Sequence, residues 1–200
     1  LGTNEYSADQ ISTEFYKLAC NYGVSTGGEQ SYVYLNGLAS QFDEAVKLFE
    51  HLLQNAVADE DKLKQMVAQK LKSRNDAKLN KGVIMRRLRN YALYGEENPS
   101  TYFLSEKELA EISGEELTLY IHNLSNYKHK IWYSGPLELS KLDAKLSAVH
   151  TIPSEYLPTP PLKEFEMRET DGKSVFIAHY EMVQAEVMWL KKSAKLDINE

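Results

Sequence analysis

Apolar residues return at helical intervals early in the chain, with Ile11, Phe15, Leu18 and Ala19 on one face. Ser7 and Gln10 precede them with the spacing of an S-x-x-Q capping box, and Gly23 follows as a C-terminal stop. The pattern then turns to alternation: Val24 to Thr26 and Ser31 to Leu38 predict a hairpin across Gly27 and Gly28, with Tyr32, Tyr34 and Asn36 opposed in facing to Val33 and Leu35. A helical stripe resumes through Phe42, Ala45, Val46, Phe49, Leu52, Leu53 and Ala56. Asp59 and Asp61 offer caps for a third helix carrying Leu63, Met66, Val67 and Leu71. Gly82 predicts an interruption, after which Ile84, Leu88 and Tyr91 continue the stripe to Gly95, and Pro99 ends it.

Two further capping boxes, Ser105 with Glu108 and Ser113 with Glu116, predict short helices. Residues 130–135, KIWYSG, have the composition of a buried strand, and Leu139, Leu142 and Leu146 predict a helix between Leu137 and His150. Pro153, Pro158, Pro160 and Pro161 exclude helix and central strand and mark residues 152–173 as a linker. Beyond it, Ser174 to Tyr180 and Gln184 to Lys192 predict a second hairpin. This order of elements is α+β.

A hydrophobic fraction of 42% with 26% charged residues describes a globular chain and excludes fibrous and disordered classes. No apolar run approaches the roughly 20 residues of a membrane-spanning helix, so no membrane partner is expected. Leu1 in place of a methionine fits an internal boundary of a longer protein. Cys20 stands alone among Leu18, Ala19 and Tyr22, which excludes an internal disulfide and reads as a small core residue.

The net charge of −6 is unevenly spread. Residues 1–61 hold 2 basic and 10 acidic residues, and residues 62–95 hold 10 basic and 1 acidic. That island, from Lys62 to Arg89, lacks the aromatic interleaving of RNA binders and any helix-turn-helix signal, so its charges are expected to face the acidic flanks rather than nucleic acid.

Catalytic signatures are missing. His51, His122, His129, His150 and His179 have no histidine or carboxylate partner at metal-ligand spacing, and a helix joining His122 to His129 is opposed by the polar turn at Asn126 and Tyr127. No GxSxG elbow or phosphate-binding glycine loop occurs, and adjacent acids such as Glu96 and Glu97 or Glu115 and Glu116 point apart. No catalytic residue and no metal ligand is assigned.

Three segments in this order carry a family resemblance. They are Leu1-Gly2-Thr3, Tyr22-Gly23-Val24-Ser25-Thr26-Gly27, and Phe42-Asp43-Glu44-Ala45-Val46-Lys47-Leu48-Phe49. Together they are similar to the end of the first helix, the helix-glycine-strand step and the helix after the hairpin in zinc peptidases of the pitrilysin/insulinase family, the inverzincins. The resemblance covers residues 1–150. It implies an antiparallel sheet with helices packed on one face over residues 1–151, lacking the domain's first hairpin and helix. Residues 174–200 would then open the following domain, with Gln184-Ala185-Glu186-Val187 at its second strand.

In that family, zinc is held by HxxEH and a later glutamate. The corresponding stretch here, Lys62 to Asp76, contains no glutamate, and Gln69 and Lys70 stand at the matching positions. The resemblance therefore implies a noncatalytic domain that needs no cofactor itself, with zinc held elsewhere in the parent protein. Lys70, Lys72 and Arg74 are its candidate substrate-steering residues. Its implied partners are the other domains of the parent chain and a peptide substrate. A sheet edge left open by the missing hairpin implies homodimers by strand exchange. The alternative is a structural module of the same fold without peptidase activity.

Overall fold

A computed structural model describes residues 1–27, 30–169, 172–181 and 183–192. Its elements, in chain order, are β1 (Gly2–Thr3), α1 (Ala8–Lys17), β2 (Asn21–Gly27), β3 (Gln30–Asn36), α2 (Phe42–Asn55), β4 (Ala56–Val57), α3 (Glu60–Ala77), α4 (Lys81–Tyr94), α5 (Glu106–Glu111), α6 (Gly114–His122) and α7 (Leu139–Ser147). The mixed α and β architecture expected from the sequence is present. Its sheet comes in two separate two-stranded antiparallel pieces, β1 with β4 and β2 with β3. No helix among the described residues is long and apolar enough to cross a membrane.

The chain divides into two compact units, Leu1–Leu63 with Ile112–Leu162 and Lys64–Glu111 with Lys163–Glu200. Residues distant in sequence are thus joined in each unit, a division that no local composition shift announces.

In the first unit, Ser7 and Gln10 form the reciprocal capping box of α1, with Gln10 N–H donating to Ser7 Oγ and Ser7 N–H to Gln10 Oε1. The helix stops at Lys17, well before Gly23. Cys20 N–H reaches Phe15 O at 2.9 Å and Ala19 N–H reaches Tyr16 O at 2.9 Å, the two bonds of a Schellman cap. Ala19 takes the left-handed position at φ 50° that such a cap usually gives to glycine. Replacing it, Ala19→Gly, is expected to raise unfolding free energy by about 0.5–1 kcal/mol in urea titration, the left-handed strain outweighing added freedom in the unfolded chain.

Gly23 lies instead in β2, paired with Tyr34, whose ring covers the space where a β-carbon would project. Ile11 and Phe15 of α1 meet Leu52 of α2 in the core, and Cys20, Tyr22, Leu35, Leu48 and Phe49 pack around them. The rings of Phe15 and Tyr22 are 4.4 Å apart, and desolvation there pushes the Tyr22 hydroxyl pKa up. Only the base of the hairpin is covered; Val24, Tyr32, Val33 and Tyr34 are exposed. Directly after the C-terminal end of α2, β4 pairs with β1 as Gly2↔Val57 and Thr3↔Ala56. Leu1-Gly2-Thr3 is thus extended here, the register that lets Thr3 Oγ1 accept from Tyr6 N–H at 3.1 Å.

Residues 130–135 do not form the expected strand. No neighbouring strand offers them a ladder among the described residues, and Ile131 and Trp132 are exposed. The pairing in this region is a single parallel bridge, Tyr127↔Leu157. The helix expected over 137–150 occupies Leu139–Ser147 and buries Leu142, leaving Leu139 exposed.

In the second unit, the break between long helices falls at residues 78–80 rather than at Gly82. Asn80 Oδ1 accepts from Gly82 and Val83 N–H, which makes Gly82 part of the first turn of α4. Gly95 caps α4 at φ 91°, and buried Asn98 organises the following loop by donating to Gly95 O at 2.7 Å and accepting from Ser100 N–H at 2.8 Å. The second predicted hairpin is not seen among the described residues: residues 174–181 and 183–192 contain no strand, while residues 182 and 193–200 lie outside the described residues. Among the described residues no other strand pairs with these segments. Phe176 instead packs edge-on against Tyr91 of α4.

Ser105 and Glu108 complete the box that caps α5. Hydrogen bonds from the Ser105 side chain and backbone hold the Glu108 carboxyl below its ordinary pKa. A depressed folded pKa contributes stability above the unfolded glutamate range and loses it as pH falls through the folded value. In an acid titration followed by NMR, the Ser105 amide shift should therefore move as Glu108 is protonated, and Glu108→Gln should abolish that movement.

Candidate functional site

The basic island falls mainly on α3 and α4. Asp59 Oδ1 caps α3 by accepting from Lys62 N–H at 3.0 Å, and the helix then runs to Ala77 without a buried residue. Lys70 and Lys72 are exposed and make no ion pair among the described residues. Arg74 differs, because its guanidinium donates to Leu104 O at 2.7 Å and lies 4.5 Å from the centre of the Phe103 ring. That arginine fastens the segment before α5. Ala68, Gln69, Lys72, Ser73 and Asp76 share one face of the helix and line a surface concavity.

The histidines are spent on different tasks. His51 Nε2 donates to Thr3 Oγ1 at 3.1 Å while its Nδ1 accepts from Asn55, so the ring ties α2 to β1. His122 Nε2 donates to Ala56 O at 2.8 Å. His179 is exposed. His129 and His150, 21 positions apart, are brought edge to edge with Nε2 atoms at 2.9 Å and ring planes at 85°. No residue spacing signalled that encounter; it follows from the bridge at Tyr127 and from the end of α7, where His150 N–H donates to Leu146 O. The expected break between His122 and His129 is present, since α6 ends at His122 and a short 3-10 turn follows at Leu124–Asn126.

No family model matches the chain, and no curated protein matches it significantly. Among solved structures, a mutant of the ferredoxin protease FusC, crystallised in complex with Arabidopsis ferredoxin, matches 84% of this chain at a TM-score of 0.61 and 13% identity. An inactive peptidase M16 domain from Pseudomonas fluorescens matches 61% of this chain at a TM-score of 0.49 and 21% identity. The chain shares the fold of the part of the FusC protease that it matches. It spans 18% of the FusC chain and 30% of the M16 chain, a fraction of each.

The sequence resemblance implies a zinc site in its family, and the donor set of this chain does not fit one. The 200 residues contain no HxxEH, and α3 has no glutamate between Lys62 and Asp76. At the matching positions Gln69 lines the surface concavity and Lys70 is exposed, and neither an amide nor an ammonium supplies an anionic ligand. Among the described residues, no three His, Cys, Asp or Glu side chains converge on one point. No catalytic step through zinc is assigned to these residues.

Proposed function

We propose that this chain is part of the noncatalytic half of a zinc-dependent metalloendopeptidase, where it forms a wall of the substrate chamber and supports hydrolysis by the other half. The observation that carries the reading is the combination of a protease-like fold over most of the chain with the absence of any glutamate between Lys62 and Asp76, where the later zinc ligand would fall. The zinc belongs to the partner domains of the parent protein. A protein substrate suits such a wall, by analogy with the protease crystallised with ferredoxin.

Substrate steering falls to Lys70 and Lys72, whose ammonium groups lie in solvent, while Arg74 is already committed to Leu104 and Phe103. Neutralising the pair in the parent, Lys70→Gln with Lys72→Gln, should lower kcat/KM for acidic peptides more than for neutral ones, and added salt should narrow the difference. Equal kcat/KM ratios in variant and wild type would remove the steering role.

A further inference from the structure

We propose that His129 and His150 form a binding site for a borderline divalent cation of the Zn²⁺ type, separate from any catalytic centre and independent of the peptidase reading. His129 Nδ1 is 2.7 Å from Tyr127 O, and His150 Nδ1 is 2.8 Å from Glu50 Oε1. A carbonyl and a carboxylate can only accept, so both Nδ1 atoms carry hydrogen and donate. In neutral rings this leaves the two Nε2 atoms as lone pairs, and they face each other at 2.9 Å. Two lone pairs at that distance require a positive species between them, a proton or a metal ion.

The surroundings favour a metal as guest. Imidazoles that bind metal through one nitrogen nearly always donate the other N–H to a carboxylate or carbonyl, which fixes the tautomer and aims the lone pair. Both rings meet that condition. Glu50 supplies a negative charge behind His150, and Gln54 Nε2 steadies its second oxygen at 3.4 Å. Side chains of His150 and Glu50 are only 12% and 13% exposed, whereas His129 is open to solvent, so one ligand is anchored while the other gives access. With metal–nitrogen bonds of about 2.0–2.1 Å, a tetrahedral ion needs the two Nε2 atoms roughly 3.3 Å apart. A small swing of exposed His129 provides that opening.

The chemistry also sets the class of ion. Paired imidazole nitrogens select Zn²⁺, Cu²⁺ or Ni²⁺ over Mg²⁺ and Ca²⁺, which prefer oxygen. No third side-chain ligand converges here among the described residues, so water completes the coordination and binding is reversible. Occupancy would clamp the segment after α6 to α2 through His150 and Glu50.

The test is isothermal titration of the 200-residue chain with ZnCl₂ in a non-chelating buffer, with MgCl₂ as control, and with the His179→Ala variant for a histidine outside the pair. The expected result is one Zn²⁺ site, retained in His179→Ala, weakened at least tenfold in His129→Ala and about 10–100-fold in Glu50→Gln. His129 is exposed, so its variant keeps the fold and circular dichroism checks that directly. Zinc binding no tighter than magnesium, or unchanged zinc affinity in His129→Ala, would overturn the site and leave the two rings bridged by a proton alone.

Discussion

Replacing Phe15 with alanine is expected to lower the unfolding free energy by about 3–5 kcal/mol, the largest loss from any single core truncation in this chain. Phe15 is 2% exposed and sits between Ile11 and Leu52, with Tyr22 stacked beside it and Cys20 folded back by the helix cap. Removing the ring leaves a cavity that these neighbours cannot all close. It also detaches the base of the β2–β3 hairpin, whose outer half has no cover of its own. Urea titration followed by circular dichroism should show a lower midpoint with an unchanged slope, and Phe15→Leu should lose less than about 1.5 kcal/mol. A loss under about 1 kcal/mol for alanine would mean that α1, α2 and the hairpin do not share this core.

Gly95→Ala is expected to lose about 2–3 kcal/mol through backbone strain, with a smaller part from a displaced cation–π contact. At φ 91° and ψ −151°, Gly95 occupies backbone space that is essentially closed to other residues. Its absent side chain also leaves room for the Arg168 guanidinium, which lies 5.3 Å from the centre of the Tyr91 ring while Arg168 N–H donates to Leu93 O. A β-carbon would push that guanidinium away. The double variant with Arg168→Ala separates the two causes: the clash part disappears and the backbone part stays. Hydrogen exchange should quicken around residues 95–102, where Asn98 holds the loop. Equal stability of Gly95→Ala and the wild type would contradict the left-handed cap.

Local chemistry was legible in the sequence wherever the cause was itself local. The boxes at Ser7 and Ser105 need residues only three positions apart, and both form as their spacing indicates. The cap at Ala19 was hidden because an alanine does the work of a glycine, and Gly23 offered a plausible but later stop. Residues 130–135 show a second limit. Ile131, Trp132 and Tyr133 have strand composition, yet a strand exists only where a neighbour completes its ladder. Pairing is a property of the assembled chain, and the same holds for residues 174–181 and 183–192.

The candidate sites divide in the same way. The exposed charges of Lys70 and Lys72 follow from a helix with a weak apolar stripe, so their accessibility could be read in advance. Arg74 could not be separated from them, because its partners, Phe103 and Leu104, come from about thirty residues later. The meeting of His129, His150 and Glu50 joins three separate segments and left no trace in local spacing. Long-range topology, not residue type, made that constellation.

Cleavage of a mixed peptide library by this chain alone and by its full-length parent, each with and without a chelator, tests the central claim most directly. No cleavage by the 200-residue chain and chelator-sensitive cleavage by the parent are expected. Chelator-sensitive cleavage by the chain itself would contradict the noncatalytic assignment, and a parent without any peptidase activity would make the fold a structural module instead.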